Sequence, residues 1–412
     1  MSRTILFVLL AALAASLGAF TASAKEVVLK RTGVFCKEDK NCHNRWHYAI
    51  KPVAMADPGD LITFETRDAL DTGFDMHNTV ADMAGLDLGL VHPLTGPVYI
   101  NGAKRGDVLV VEVIEIRDTG YGFTMIIPGF GFLRDMYTQP YLVRWQTNML
   151  EATSPDMPKN IAVRRRGFPG TIGVALGPEE TRAVIAREGA LAAAGGFVLM
   201  PDGGGAQPAA VCGKGGSQEK ECLRTIPPRE NGGNMDVKYM VAGTQLLFPC
   251  FVDGCLLSIG DVHYAQGNGE VSGTAIEIPS TTTVRTSIMK GGMSRIKSIE
   301  FQGGDELVAL APTDFHATVG YPFKTKGQNY PEMDYLKLEK LKDLTNLSED
   351  LTLAARHALI QMIDYLVKEK GLTKEQAYIL CSVAVDLHIA QVVDVPNISV
   401  VAILDLNVFK KE

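Results

Sequence analysis

Alternation between apolar and polar positions, with many β-branched residues, marks most of the chain before residue 310. The clearest segment is 107–116, DVLVVEVIEI, which follows the turn-forming pair Asn101-Gly102 and has the composition of a β-strand. The segment 58–69, PGDLITFETRDA, repeats the order of a Gly-Asp turn and a strand rich in β-branched and aromatic residues. The pattern therefore predicts that strands dominate this part of the protein.

A helical period occurs once in the middle of the chain and twice near its C-terminus. The segment 177–196 has acidic residues at its start and two glycines at its end, an order that favours a helix. In 348–371, apolar residues recur at helical spacing between Ser348, a candidate N-cap, and Gly371, a candidate terminator. Both segments are therefore predicted to be helices.

The segment 373–394 predicts a further helix, because it begins at Thr373 and places Gln376 in the capping-box position. The segment 397–409 then returns to a strand pattern. Strands and helices do not alternate as they do in doubly wound proteins. The sequence thus predicts an α+β, β-rich fold with a C-terminal helical hairpin, built over residues 25–412 as one domain or as two intimately packed β-rich halves.

The first residues predict export from the cytoplasm. Arg3 precedes an apolar run that starts at Ile5, and the segment ends in Ala22-Ser23-Ala24, the small-x-small pattern of a signal peptidase site. A membrane anchor is the alternative, but the run is shorter than the ~20 apolar residues that span a bilayer. We therefore expect residues 1–24 to be a cleaved signal peptide, and the mature chain to be periplasmic or secreted without membrane attachment.

Charge and cysteine content narrow the class of protein further. The formal net charge is -7, which disfavours a nucleic-acid partner because such proteins present a basic face. Six of the seven cysteines lie in close pairs, which in an exported protein predicts local disulfides. Thiolate metal ligation is the weaker alternative, because no C-x-x-C occurs. The pairs are Cys36 with Cys42, Cys212 with Cys222 and, left open, Cys250 with Cys255.

Two further expectations come from the same residues. Cys381 lies in an apolar helical pattern and is expected to be a buried free thiol. The glycine-rich segment 201–222 contains one of the cysteine pairs and is expected to be a loop inserted at the surface.

The densest group of chemically reactive side chains lies in GDVHYAQGNGE, residues 260–270. In an extended strand, side chains two residues apart point to one face, so Asp261 and His263 would project together. A Gly-Asn-Gly turn can bring Glu270 back towards them, and Glu277 lies on a following strand that can pair antiparallel with the first. Carboxylate and imidazole groups in this arrangement suit a divalent cation such as zinc. The spacing alone is equally compatible with a simple turn and a structural histidine.

Six blocks of the chain carry a further signal. The blocks are PGDLITFETRDA at 58–69, HPLTGPVYINGAKRGDVLVVEVIEI at 92–116, GTIGVAL at 170–176, NGGNMD at 231–236, GCLLSIGDVHYAQGNGEVSGTAIE at 254–277 and AVDLHIAQVVDVPNISVVAILDLNVF at 384–409. They closely resemble the acetamidase/formamidase family and occur in the order of that family. The resemblance implies hydrolysis of a simple carboxamide to a carboxylate and ammonia, a β-rich fold with a mixed sheet or barrel core, and a homo-oligomer. It also implies a divalent cation, zinc or calcium, at the site.

The resemblance also assigns candidate site residues, and side-chain chemistry proposes a role for each. The central motif of the family is matched by Asp261, His263, Gln266 and Glu270, and its NMD by Asn234 and Asp236. We expect three metal ligands, a general base and a donor to the developing oxyanion. The ligands are Asp236, Asp261 and His263, the base is Glu270, and the donor is Gln266 or Asn234.

Other histidines are given lesser roles at this stage. His43 and His47 have helical spacing for ligands, but a surface loop is the preferred interpretation. His92, directly before a proline, is expected to order a turn.

The leading hypothesis is an exported metal-dependent amidase in which cation-bound water attacks a short linear amide or a lactam-like relative. A Ser-Lys arrangement that uses Ser258 stays open. A different class is a catalytically inactive periplasmic binding protein for small amides or cations. A third is a partner-binding secreted protein that uses the loop 203–222.

Overall fold

The computed structural model describes residues 24–193, 198–304, 314–322, 324, 345–347, 350–391 and 399–410. All of the expected signal peptide except Ala24 lies outside the described residues. Among the described residues, no helix combines the length and the apolar character that crossing a membrane requires.

Strands outnumber helices in the described part of the chain. The strands are β1 (Glu26–Leu29), β2 (Cys42–His43), β3 (Arg45–Trp46), β4 (Ala54–Ala56), β5 (Leu61–Thr66), β6 (Leu94–Ile100), β7 (Val108–Asp118), β8 (Tyr121–Ile126), β9 (Tyr141–Thr147), β10 (Glu151–Thr153), β11 (Val163–Arg164), β12 (Phe168–Gly173), β13 (Leu223–Arg224), β14 (Gly232–Asn234), β15 (Gln245–Pro249), β16 (Leu257–His263), β17 (Glu277–Ile278), β18 (Ser280–Met289), β19 (Glu300–Gln302), β20 (Phe315–Gly320), β21 (Val385–Gln391) and β22 (Ser399–Asp405). The α-helices are α1 (Pro178–Ala193), α2 (Ala209–Cys212), α3 (Leu351–Lys370) and α4 (Lys374–Ala384), and short 3-10 helices cover Cys36–Glu38, Val80–Gly85, Gly292–Ser294 and Leu406–Val408.

Two sheets contain most of the strands. A six-stranded sheet has the order β1-β5-β18-β7-β15-β19, and a larger one the order β11-β10-β9-β8-β17-β16-β12-β14, with β6 paired to β16 and both β2 and β4 paired to β6. Only β1 with β5 and β4 with β6 run parallel among the described strands of these two sheets. The α+β, strand-rich prediction is confirmed, and the described strands form no closed barrel.

The alternating segments form strands because one face of each is buried. On β5, Ile62 and Phe64 are completely buried, and on β7 Val111 and Val113 are as well, while Glu112 between them is more exposed. Burying each such side chain contributes about 1.5–3 kcal/mol. The hydrophobic effect therefore decides which face of each strand points inward.

The sequence predicted some ends of the two C-terminal helices, α3 and α4, correctly and missed others. Gly371 ends α3 in the left-handed conformation, with φ of 69°. Thr373 and Gln376 form the expected capping box of α4. The N-cap of α3 is Asp350, whose side chain accepts from the backbone N–H of Leu353, so the expectation for Ser348 was wrong.

The predicted helix over 373–394 was too long. Helix α4 ends at Ala384, and β21 follows and pairs antiparallel with β22. The segment after Ala384 contains β-branched residues, and its partner strand comes from later in the chain, which a helical period cannot reveal. Residues 392–398 lie outside the described part.

All three cysteine pairs form disulfides, including the pair Cys250 and Cys255 that the sequence left open. Cys381 is a buried free thiol in α4, as expected.

Candidate active site

The candidate residues come together at one end of four neighbouring strands, β17, β16, β12 and β14. His263 at the end of β16 is opposite Glu277 on β17 and Phe168 on β12. The antiparallel pairing of β16 with β17 confirms the expectation for Glu277. Asn234 on β14 is opposite Thr171 on β12. Sheet pairing thus joins residues that lie between 14 and 95 positions apart in the chain.

The backbone is left-handed at three of the candidate carboxylates. Asp236, Asp261 and Glu270 have φ of 51°, 48° and 43°. Such conformations are costly for residues other than glycine and cluster at functional sites. Strand β16 continues to His263 despite the left-handed backbone at Asp261, and the side chains of Asp261 and His263 meet as expected.

His263 is the centre of the group, and its ring is completely buried among four carboxylates. Its Nε2 lies 3.1 Å from Asp261 Oδ1, 3.4 Å from Glu277 Oε2, 3.9 Å from Asp236 Oδ1 and 4.0 Å from Glu270 Oε1. Burial by itself lowers the pKa of His263, but Glu277 and Asp261 outweigh it and raise that pKa well above the usual value. One imidazole edge therefore faces a concentrated negative charge.

The pKa values of the four carboxylates are shifted in different directions. Burial raises the pKa values of Asp236 and Glu277 well above normal, and it raises the pKa of Glu270 to about 8. Burial also opposes ionisation of Asp261, yet the neighbouring His92 and His263 hold its pKa below the usual range. Without added positive charge, part of this group therefore keeps its protons near neutral pH.

Gly170 on β12 allows His263 and Asp236 to approach each other. A Cβ atom at this position would lie 2.7 Å from Cε1 and Nε2 of His263 and 2.8 Å from Asp236 Oδ1. Real Cβ contacts are longer than this. Only a residue without a side chain fits between the two groups.

Gln266 uses both ends of its amide to hold this arrangement. The Nδ1–H of His263 donates to Gln266 Oε1 at 2.8 Å, and Gln266 Nε2 donates to the backbone carbonyl of Asp236 at 2.8 Å. The first contact places the proton of a neutral imidazole on Nδ1, and in that neutral form the lone pair of Nε2 faces the carboxylates. Gln266 is thus placed to orient His263. Its amide is therefore not free to donate to the oxyanion, a role for which Gln266 and Asn234 were the two candidates.

Asn234 is the other candidate donor, and it lines the cavity described below. Thr171 Oγ1 lies 2.8 Å from Asn234 Oδ1 and 2.9 Å from Asp261 Oδ2, and its single proton can serve either oxygen. No described residue accepts a hydrogen bond from the NH2 group of Asn234. That group is available to a ligand in the cavity.

Strand β21 contacts the loop that contains Glu270. Asn268 donates its backbone N–H to Asp386 Oδ1 at 2.9 Å, and Leu387 donates its backbone N–H to the carbonyl of Asn268 at 3.0 Å. Asp386 also forms a buried ion pair with Lys238. Strand β21 therefore holds the loop that contains Glu270 in position.

His92 was expected to order a turn, but the structure places it at the site. Its Nε2 lies 3.9 Å from Asp261 Oδ2, and its buried Nδ1 has no partner among the described residues. Burial lowers the pKa of His92. The sequence had not predicted His92, Gly170 or Thr171 at the site, although all three lie within the blocks 92–116 and 170–176 that resemble the family.

The donor set fits a divalent cation. Asp236 Oδ1 and Glu277 Oε2 are buried without a hydrogen-bond partner among the described residues, and both face His263 Nε2. Ligand atoms of Asp236, Asp261 and His263 lie within 4.8 Å of one another, as do those of His263, Glu270 and Glu277. Oxygen and imidazole donors of this kind suit zinc. The ligand set expected from the sequence is thus brought together, and its role in binding stays a prediction.

A cavity of about 750 Å³ opens onto these groups. Asn234, Asp236, Asp261, Glu270 and Glu277 line its polar part. Its volume lies within the usual range for small-molecule sites.

Two other expectations are corrected by residues outside the cavity. His43 and His47 are buried rather than part of a surface loop, because β2 carries this segment into the larger sheet by pairing with β6. His43 Nδ1–H donates to the carbonyl of Arg45, and Ser258 donates its hydroxyl to His43 Nε2 at 2.8 Å. Ser258 is completely buried and does not line the cavity, which removes the support for a Ser-Lys nucleophile.

Comparisons with known proteins confirm the family that the motifs resemble. Residues 30–411 match the model of the Acetamidase/Formamidase family. The chain is 32% identical to the formamidase of Methylophilus methylotrophus, with 88% of each chain covered, and 32% identical to the acetamidase of Mycolicibacterium smegmatis, covering 82% of this chain and 84% of that one. Its fold is similar to that of a gamma lactamase from Delftia acidovorans, with a TM-score of 0.83, 29% identity and 94% of each chain covered.

Proposed function

The chain belongs to the acetamidase/formamidase family, and from that premise we propose that it is an exported, cation-dependent amidohydrolase that cleaves a short carboxamide to a carboxylate and ammonia. The observation that supports this most strongly is the convergence of four carboxylates on His263 Nε2, at one part of a cavity that Asn234 also lines. Amidase activity on short amides agrees with the relatives named formamidase and acetamidase.

Asp236, Asp261 and His263 would hold the cation. When bound, a divalent cation such as zinc supplies a Lewis acid for the amide carbonyl and acidifies water. Gln266 keeps the imidazole of His263 in the orientation and tautomer that a ligand needs.

The remaining residues of the chain bind the amide and move protons. Glu270 accepts a proton from the attacking water and passes it to the leaving nitrogen, which departs as ammonia. Asn234 donates from its NH2 group to the carbonyl oxygen as negative charge develops there. Glu277 adds negative charge beside His263 and favours occupation of the site by a cation.

The assignment of Glu270 is tested by the variant E270Q, with cation content and ammonia release both measured. We expect the variant to bind the cation and to lose amide hydrolysis by about 10²–10⁴-fold, since general-base catalysis contributes that much. The matched control is E300Q, on an exposed strand, which should behave as wild type. Full activity in E270Q would reject the base, and loss of the cation together with activity would make Glu270 a ligand instead.

Export is supported by the N-terminal 24 residues and by the three disulfides, which are typical of oxidising compartments. We expect the mature protein isolated from the producing cell to begin at Lys25. N-terminal sequencing checks this, and an intact Met1 would contradict it. A homo-oligomer is proposed as well, and light scattering coupled to size exclusion would measure its mass.

The catalytically inactive binding protein is separated from the enzyme by a chelator experiment. Ammonia release from acetamide that stops with chelator and returns with zinc supports the enzyme. Tight amide binding without release supports the binding protein.

A second candidate reaction is lactam hydrolysis, which the similarity to the Delftia acidovorans gamma lactamase favours. A lactam contains the same C–N bond within a ring, so its cleavage gives an amino acid and no free ammonia. Product analysis with a five-membered lactam therefore distinguishes the two substrates.

A further inference from the structure

The cavity is much larger than a formamidase or acetamidase substrate requires. Acetamide has four non-hydrogen atoms, which at about 30 Å³ each, the share of a water molecule in the liquid, need about 120 Å³. The cavity measures about 750 Å³. Most of this space would hold only water if acetamide were the ligand.

The additional space is bounded by a continuous apolar surface. We call this surface the apolar wall, and its residues belong to, or pack against, one hydrophobic cluster that is separate from the main core. The apolar wall consists of Ala69, Leu70, Val91, Ile127 and Ile226, all of which line the cavity.

The position of this cluster favours a ligand over bulk water. Phe130 and Leu88 also line the cavity, and Leu88 is 37% exposed. Water gains little from such a lining, whereas an apolar group that displaces it gains about 0.8 kcal/mol for each methylene buried. Asn234, Asp261 and Glu270 are among the residues that line the polar part of the same cavity.

From these observations we propose that the protein prefers amides whose apolar acyl group is several carbon atoms longer than that of acetamide, with the amide at the carboxylates and the acyl chain on the apolar wall. This inference rests on the proposed function, because it names the substrate class of that same site. Short amides are turned over as well, but they leave the apolar wall uncovered.

The size of the preference follows from the area buried. Hexanamide has four more methylenes than acetamide, and about fourfold in kcat/KM is expected for each one fully buried. Allowing for incomplete burial, we expect kcat/KM for hexanamide to exceed that for acetamide by at least about tenfold.

The test measures ammonia release from formamide, acetamide, butanamide and hexanamide with the full, cation-loaded protein. A rise of kcat/KM along the series supports the proposal, and a ratio of hexanamide to acetamide at or below one overturns it. If no amide in the series releases ammonia, the proposed function fails, which is a different outcome.

Variants locate the effect on the apolar wall. I226F fills part of the cavity and should lower the ratio of hexanamide to acetamide by about tenfold, which is the effect of about two methylenes. A partly unfolded variant loses both activities in proportion, so the ratio is unaffected by folding. L88W, at a more exposed position, is the second narrowing variant. L150F, on a residue that is 77% exposed and does not line the cavity, is the control and should leave the ratio unchanged. A high ratio that neither narrowing variant lowers would overturn the assignment of the wall.

Discussion

Replacing Gly170 by alanine tests whether the site depends on the close approach of two strands. The new Cβ would lie 2.7 Å from the Nε2 of His263 and 2.8 Å from Oδ1 of Asp236. Ordinary contacts between such atoms are about 3.5–4.0 Å. Both groups, or the strand that contains Gly170, must therefore move by about 0.7–1.3 Å to accept one methyl group.

The structure leaves little room for that movement. His263 is paired with Phe168 on the same neighbouring strand, and its ring is also held by Gln266. Overpacking of this kind costs about 1–3 kcal/mol of stability. A displacement of about 1 Å at a catalytic group lowers the rate about 10²-fold. We therefore expect G170A to fold, with reduced stability, and to lose about 10²-fold in kcat/KM together with cation affinity.

The measurements are kcat/KM for acetamide, the cation dissociation constant from competition with a chelator, and the urea midpoint. The matched control is G85A, because Gly85 has no left-handed backbone and a Cβ there would meet nothing within 4 Å. G170A with kcat/KM and cation affinity within twofold of wild type would refute the reasoning. Equal losses in G85A would refute it as well.

Two further predictions concern residues outside the cavity. S258A should keep kcat/KM within about twofold of wild type but lose about 1–3 kcal/mol of stability, because His43 Nε2 becomes a buried acceptor without a donor; loss of activity in a folded S258A would contradict the metal-dependent mechanism. Burial raises the pKa of Asp71 to about 6. As the pH rises from about 4 to 6, the unfolded chain therefore releases a proton that the folded protein keeps. The free energy of unfolding falls by at most about 1.4 kcal/mol per pH unit over this range. In D71N, where asparagine tolerates the φ of 54°, urea midpoints at pH 4.5 and 6.5 should lack this contribution; an identical pH dependence in wild type and variant would contradict the assignment.

Local signals predicted the parts of the fold that neighbours in the chain determine. Thr373 and Gln376 form the capping box of α4, and Gly371 ends α3, because each of these contacts lies within a few residues. The end of α4 at Ala384 was missed, because β21 exists only through its pairing with β22. A strand that depends on pairing with another segment carries a weaker local signal than a capped helix.

The residues of the candidate site show the same difference between local and non-local signals. Asp261, His263 and Glu270 lie within eleven residues, so the GDVHYAQGNGE motif identified them directly. The contribution of Gly170 has no signal of its own in a single sequence, since a glycine in a strand has several explanations. His92 is remote from the motif and reaches Asp261 only in the folded protein.

The sequence by itself determined which chemical groups this protein has, the family to which it belongs, and the turns and caps that adjacent residues impose. The tertiary structure alone decided that Asp236 and Glu277 meet the same imidazole nitrogen, that Gln266 orients that imidazole, and that an apolar cavity continues from them. The reason is that strand pairing and burial are non-local: they depend on the register between segments far apart in the chain, and a side chain has no partner until that register forms.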